Sequence, residues 1–156
     1  MREPATALVR RLMPAPPAAV YDEWLDPQAM AEWMCPRPAV ATKIEIDPRV
    51  GGAYRIDIDE AGLQMTVTGR YLELHRPHRL RFTWYCSTWD PAAPDSVVTV
   101  TFDPHGTGET LMTIAHTNLR PDMVDRHRHG WLLIAGQLAA VLRPAGGTPR
   151  PPHRQR

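Results

Sequence analysis

Cysteine is scarce. Cys35 and Cys86 are the only two, and neither a CxxC nor a Cys/His spacing of the kind a zinc site needs is present. The pair reads as reduced thiols of a cytoplasmic protein. Lysine is scarcer still: Lys43 stands alone among 18 basic residues, the rest being arginines. With 17 prolines and abundant alanine, this usage points to a GC-rich bacterial gene. Long apolar runs are missing. Nothing approaches the roughly 20 apolar residues that cross a bilayer, so no membrane insertion is expected. Arg10 and Arg11 interrupt the apolar stretch of residues 5–13, which argues against a signal peptide. Positive charge is not in excess either. The formal net charge is +1, but the tail from Arg143 onward holds four of the 18 basic residues and none of the 17 acidic ones, leaving the body at −3. A mildly acidic body gives no electrostatic reason to expect nucleic acid.

Signatures of common chemistries are also missing. Gly51-Gly52 lacks the lysine and the following helix of a phosphate loop. Ser87 and Ser96 have no GxSxG context. Asp57 and Asp59 share a strand face, but alternation turns it outward, where a carboxylate pair cannot flank a buried substrate. No cofactor is expected. A metal site is not expected, because two histidines without a placed carboxylate or thiolate make a poor ligand set.

What is present is alternation. Residues 69–74, 80–85, 97–102 and 110–116 each repeat with a period of two, and short turns join them, which predicts an antiparallel sheet with one face on a core. Residues 6–13 read as a first strand, stopped by Pro14, Pro16 and Pro17. Pro17 suits the first turn of a helix over 18–25, with Val20, Tyr21, Trp24 and Leu25 inward and Asp22 and Glu23 outward. Asp26-Pro27 starts a second short helix carrying Met30, Trp33 and Met34. Residues 40–46 place Val40, Thr42, Ile44 and Ile46 on one face. Tyr54, Ile56 and Ile58 share the inner face of the next strand, and Met65, Val67, Gly69 and Tyr71 that of the one after. The closing helix, residues 121–142, carries a stripe of Met123, His127, Trp131, Ile134 and Leu138. Gly130, beside Trp131, suits close approach to the sheet. One domain is expected over residues 1–142, with a disordered Pro/Arg-rich tail over 143–156.

Several stretches, taken in order, resemble one family. Arg11, Ala15-Pro16 and Val20-Tyr21 resemble its opening, and Asp26-Pro27 with Met30 and Trp33 its aspartate-proline stretch. Asp47-Pro48-Arg49-Val50-Gly51-Gly52-Ala53-Tyr54 is similar to its glycine-glycine turn. Gly69-Arg70-Tyr71-Leu72-Glu73-Leu74 with Arg79-Leu80-Arg81-Phe82-Thr83-Trp84 is similar to its central hairpin. Thr113-Ile114-Ala115-His116-Thr117 and Gly130-Trp131 resemble its closing signature. Across about residues 5–142 the chain resembles the START-like (SRPBCC) superfamily and, within it, the heat-shock protein 90 ATPase activator homologue family. The resemblance implies an α+β helix-grip: a curved seven-stranded antiparallel sheet, two short helices and a long C-terminal helix. That superfamily includes lipid and hormone binders, polyketide cyclases and aromatases. Chaperone stimulation is not expected, since the eukaryotic activators engage the chaperone through an additional N-terminal domain.

A bent sheet closed by one helix encloses space, and the inward residues are rich in aromatics and methionine. The expected lining is Met30, Trp33, Tyr54, Met65, Phe82, Trp84, Met112, His116, Met123, His127 and Trp131, with Trp24 and Phe102 assigned to solid core. The first functional reading is a non-catalytic binder of a small hydrophobic or aromatic molecule between sheet and C-terminal helix. A second is a cyclase- or hydratase-type enzyme in which His116 or His127 moves a proton. A third is a protein-interaction module, co-chaperone-like or a homodimer paired through a sheet edge or the loop of residues 89–94.

Overall fold

The computed structural model describes residues 5–143. The tail expected to be disordered lies, apart from Arg143, outside the described residues. The chain runs through β1 (Ala5–Met13), α1 (Pro17–Glu23), α2 (Pro27–Met30), β2 (Val40–Ile46), β3 (Ala53–Glu60), β4 (Leu63–His75), β5 (Arg79–Cys86), β6 (Ser96–His105) and β7 (Glu109–Leu119). A single 3-10 turn (Pro121–Met123) then leads into α3 (Val124–Leu142). The strands form one antiparallel sheet in the order β1-β7-β6-β5-β4-β3-β2. Only β1 and β7 are neighbours from opposite ends of the strand sequence. Their pairing brings the N-terminus across to the strand that feeds α3.

The short helices form where the sequence supplies their ends. Proline stands in the first turn of both, where its missing N–H costs nothing. Asp26 caps α2: its Oδ1 accepts from the backbone N–H of Gln28 at 3.1 Å and of Ala29 at 3.3 Å. In α3 the buried face is Trp131, Ile134, Ala135, Leu138 and Ala139, and the helix lies chiefly against β1. Among the described residues no helix is long and apolar enough to cross a membrane.

Four local expectations are corrected. Val40 is 54% exposed, because a bulge between Ala41 and Lys43 shifts the β2–β3 register and turns Ala41, not Val40, toward the core. Glu23 is buried, not outward, because the Trp33 indole donates to its Oε1 at 3.0 Å. Gly130 faces the loop after α2 instead of the sheet; an added Cβ would meet Pro36 Cγ at 4.0 Å. The closing helix starts at Val124, so Met123 belongs to the 3-10 turn and is only half-buried.

Candidate functional site

The interior is an aromatic cluster. Trp24 packs edge-on against Trp33, with centroids 4.9 Å apart, and also lies beside Phe82 and Trp131. Trp84 meets Trp131 at 5.1 Å. Such pairs each add about 0.5–1.5 kcal/mol beyond the area they bury.

His116 sits at the centre of β7, opposite Val98 on β6 and Ala7 on β1, and is fully buried. Its protonation is dictated by its neighbours. An indole nitrogen can only donate, so Trp131 Nε1 at 3.0 Å makes His116 Nδ1 an acceptor. The ring proton therefore resides on Nε2, which donates to Ser96 Oγ at 2.7 Å. The Ser96 hydroxyl in turn donates to the Trp84 carbonyl at 2.7 Å. Both ring nitrogens are thus occupied. Burial, with His127 adding to it, lowers the His116 pKa to about 3. His127 stands edge-on to His116 with centroids 5.0 Å apart and packs against Trp89. Its Nδ1 donates to the Met123 carbonyl at 3.0 Å, and burial pulls its pKa down as well. The two imidazoles do meet, as strand parity and the helical stripe imply, and they do so in direct edge contact.

The interior holds a void of about 10 Å³ under α2, bordered by Trp24, Met30, Met34, Tyr54, Ile56, Tyr71, Phe82 and Trp84. That is room for one water-sized sphere. Of the expected lining residues, Met30, Tyr54, Phe82 and Trp84 border it. Trp33 lies behind Trp24, tied to Glu23. Met112 is buried across from Phe102 in the β6–β7 pair, and Met65 is half-buried near the β3–β4 hairpin. His116 and Trp131 pack against Trp84, one wall of the void, and His127 with Met123 lies next to His116 at the start of α3. Trp24, Met34, Ile56 and Tyr71, outside the expected lining, also border the void. Parity with Tyr54 and Met65 signals Ile56 and Tyr71, and spacing from Met30 signals Met34. Nothing local distinguishes Trp24 from solid core.

The segment after α2, which carries Met34, is tied to the closing helix. Gln137 on α3 holds it through three hydrogen bonds: Nε2 donates to the carbonyls of Trp33 at 3.0 Å and Cys35 at 2.8 Å, and Oε1 accepts from Arg37 N at 3.0 Å. Burial, with the charge of Glu60 adding, pushes the Cys35 thiol up to about 11, so it is no nucleophile at neutral pH. Among the described residues, no three His, Cys, Asp or Glu side chains are grouped to hold a metal ion.

Tyr54 links this void to the other side of the sheet. It lies directly opposite Gly69 on β4. Its hydroxyl reaches across the glycine to donate to the Thr83 carbonyl at 2.5 Å, while Arg70 N donates to Thr83 Oγ1 at 2.9 Å. Side chains thereby replace part of the β4–β5 ladder. On the outer face the same phenol reaches an open groove of about 730 Å³, walled by Arg55, Thr68, Arg70, Tyr85 and Asp95.

A long C-terminal helix held against a seven-stranded antiparallel sheet, with two short helices between the first two strands, defines the helix-grip fold of the START-like (SRPBCC) class. The same architecture occurs in a Chromobacterium violaceum protein of 33% identity, with a TM-score of 0.80 over 91% of this chain and 100% of that one. It occurs in the AHSA1 protein of Silicibacter pomeroyi, at 23% identity and a TM-score of 0.75, covering 87% of this chain and 96% of that one. It occurs also in CalU16 of Micromonospora echinospora, at 21% identity and a TM-score of 0.65, covering 88% and 83%. Residues 14–143 match the family of Activator of Hsp90 ATPase homolog 1-like proteins, and the chain belongs to that family. No curated protein matches the sequence.

Proposed function

We propose that the protein binds a small hydrophobic or aromatic molecule in a pocket that expands from the void under α2. The observation that carries this reading is the composition of the void's wall: eight aromatic or aliphatic side chains, two of them methionines on or just after a four-residue helix. Methionine is unbranched and adapts to a guest at low cost. The fold class, one that binds ligands, supports the same reading.

Size sets the mechanism. A benzene-sized guest needs about 150 Å³, an order of magnitude more than the resting void of about 10 Å³. Binding therefore requires Met30 and Met34 to swing aside and the segment held by Gln137 to lift. The apparent affinity is reduced by the rarity of that open state. Acid–base catalysis at His116 has no such support, since both ring nitrogens are engaged and the ring stays neutral at physiological pH.

Met34→Ala pre-opens the site. It is expected to lower stability by about 2–5 kcal/mol and to strengthen binding of benzene-sized aromatics. A thermal-shift screen of aromatics and lipids on both proteins, with native mass spectrometry of protein taken from cell extract, checks this. The reading is abandoned if nothing co-purifies and neither protein gains stability from any compound.

A further inference from the structure

Four buried indoles meet in the core, and acceptors are seen for Trp33 and Trp131. Trp33 Nε1 donates to Glu23, and Trp131 Nε1 donates to His116. Trp24 is as buried as they are, at 2% exposure, but its Nε1–H has no hydrogen-bond partner among the described residues. It is the one buried side-chain polar atom there without one. Burying a donor unmade is costly, and native structures rarely tolerate it without a reason. The remaining observation is location: Trp24 borders the void, whose wall otherwise consists of aromatic and aliphatic surface.

Resting on the pocket reading above, we propose that Trp24 is its polar recognition element, and that the ligand is an aromatic molecule bearing an oxygen acceptor, such as an aryl ketone, rather than a hydrocarbon or a plain acyl chain. The ring of such a ligand replaces the methionine side chains against Tyr54, Phe82 and Trp84. Its carbonyl oxygen accepts from Trp24 Nε1. A purely apolar guest fills the same volume but leaves the indole unpaired, so the site prefers the oxygenated member of an isosteric pair.

Acetophenone and α-methylstyrene are such a pair, differing by O against CH₂ at one position. Their dissociation constants are to be measured by calorimetry for the wild type and for Trp24→Phe. The ratio of the two affinities should favour the ketone about three- to tenfold more in the wild type than in the variant, the span of one neutral hydrogen bond. An unchanged ratio overturns the proposal and leaves the pocket reading intact. If neither compound binds the wild type or Met34→Ala, the pocket reading falls and this proposal with it. Should Trp24→Phe fail to fold, the indole proton resonance of Trp24 in the wild type decides the matter. It should move downfield with acetophenone and not with α-methylstyrene; equal movement with both refutes the hydrogen bond.

Discussion

Gly69→Ala is expected to cost about 3 kcal/mol or more. Any Cβ at this position would stand inside the contact distance of the Thr83 carbonyl oxygen, 2.5 Å from Tyr54 Cε2 and 2.7 Å from its hydroxyl. The first of these is backbone and cannot turn away. The other two belong to a ring wedged between strands, whose hydroxyl is already committed to the Thr83 carbonyl. Overpacking of this kind costs about 1–3 kcal/mol, and losing the buried hydrogen bond adds about 1 kcal/mol. Against a total stability of about 5–15 kcal/mol for a domain, the loss is severe. Gly136→Ala is the control. It lies within α3 with nothing within 4 Å of its added methyl group, and should stabilise by about 0.5–1 kcal/mol. Urea titrations of both variants give the comparison. Near-parental stability of Gly69→Ala would show that Tyr54 does not cover this glycine in solution.

Acid should destabilise the protein well above the range in which carboxylates titrate. The folded His116 pKa is about 3, against an ordinary 6.5, because burial disfavours the imidazolium. Between those two values the unfolded chain binds a proton that the folded chain refuses. The stability contributed by neutral His116 is therefore complete above pH 6.5 and falls as pH drops toward 3. The slope for one such group is about 1.4 kcal/mol per pH unit, or roughly 2–3 kcal/mol lost by pH 4.5. His127 faces His116 and is shifted in the same direction, so it adds to the fall. The depressed carboxylates of Asp57 and Asp122 protonate only below their ordinary 3.8, beneath this window. His116→Gln tests the assignment. Its amide can accept from Trp131 and donate to Ser96, but it does not titrate. Expected are a lower stability at pH 7 and a much flatter profile from pH 6.5 to 4.5, read from denaturation midpoints. An unchanged acid slope in this variant would move the effect elsewhere.

These two results concern features that were unequally visible in the chain. The inward placement of His116 follows from its parity with Met112 and Ile114, and all three are buried. Its saturation does not follow, because Ser96 and Trp131 come from another strand and from α3. The glycine at 69 is visible as a break in a strand of larger residues, yet its reason is Tyr54 on a neighbouring strand. Glu23 departs from its periodicity for a similar cause: helical spacing turns it outward, and the indole of Trp33, ten residues on, gives it a buried partner. Val40 was misplaced because a one-residue bulge inverts every face beyond it, and alternation alone carries no sign of where a bulge falls.

The order of the strands along the chain, the inner face of most of them, the caps of the short helices and the apolar stripe of α3 were legible in the amino-acid sequence alone. They depend on periods of two and 3.6 and on end-capping chemistry, which act over a few residues. The tertiary structure alone decided how much room the walls leave, which side chains border it, which tautomer His116 adopts, and that Trp24 Nε1 has no acceptor among the described residues. Free volume is a small difference between two large quantities, the space between the elements and the side chains that fill it. No local pattern contains that difference, and here the docking of α2 and its methionines leaves a void of only about 10 Å³ beneath that helix.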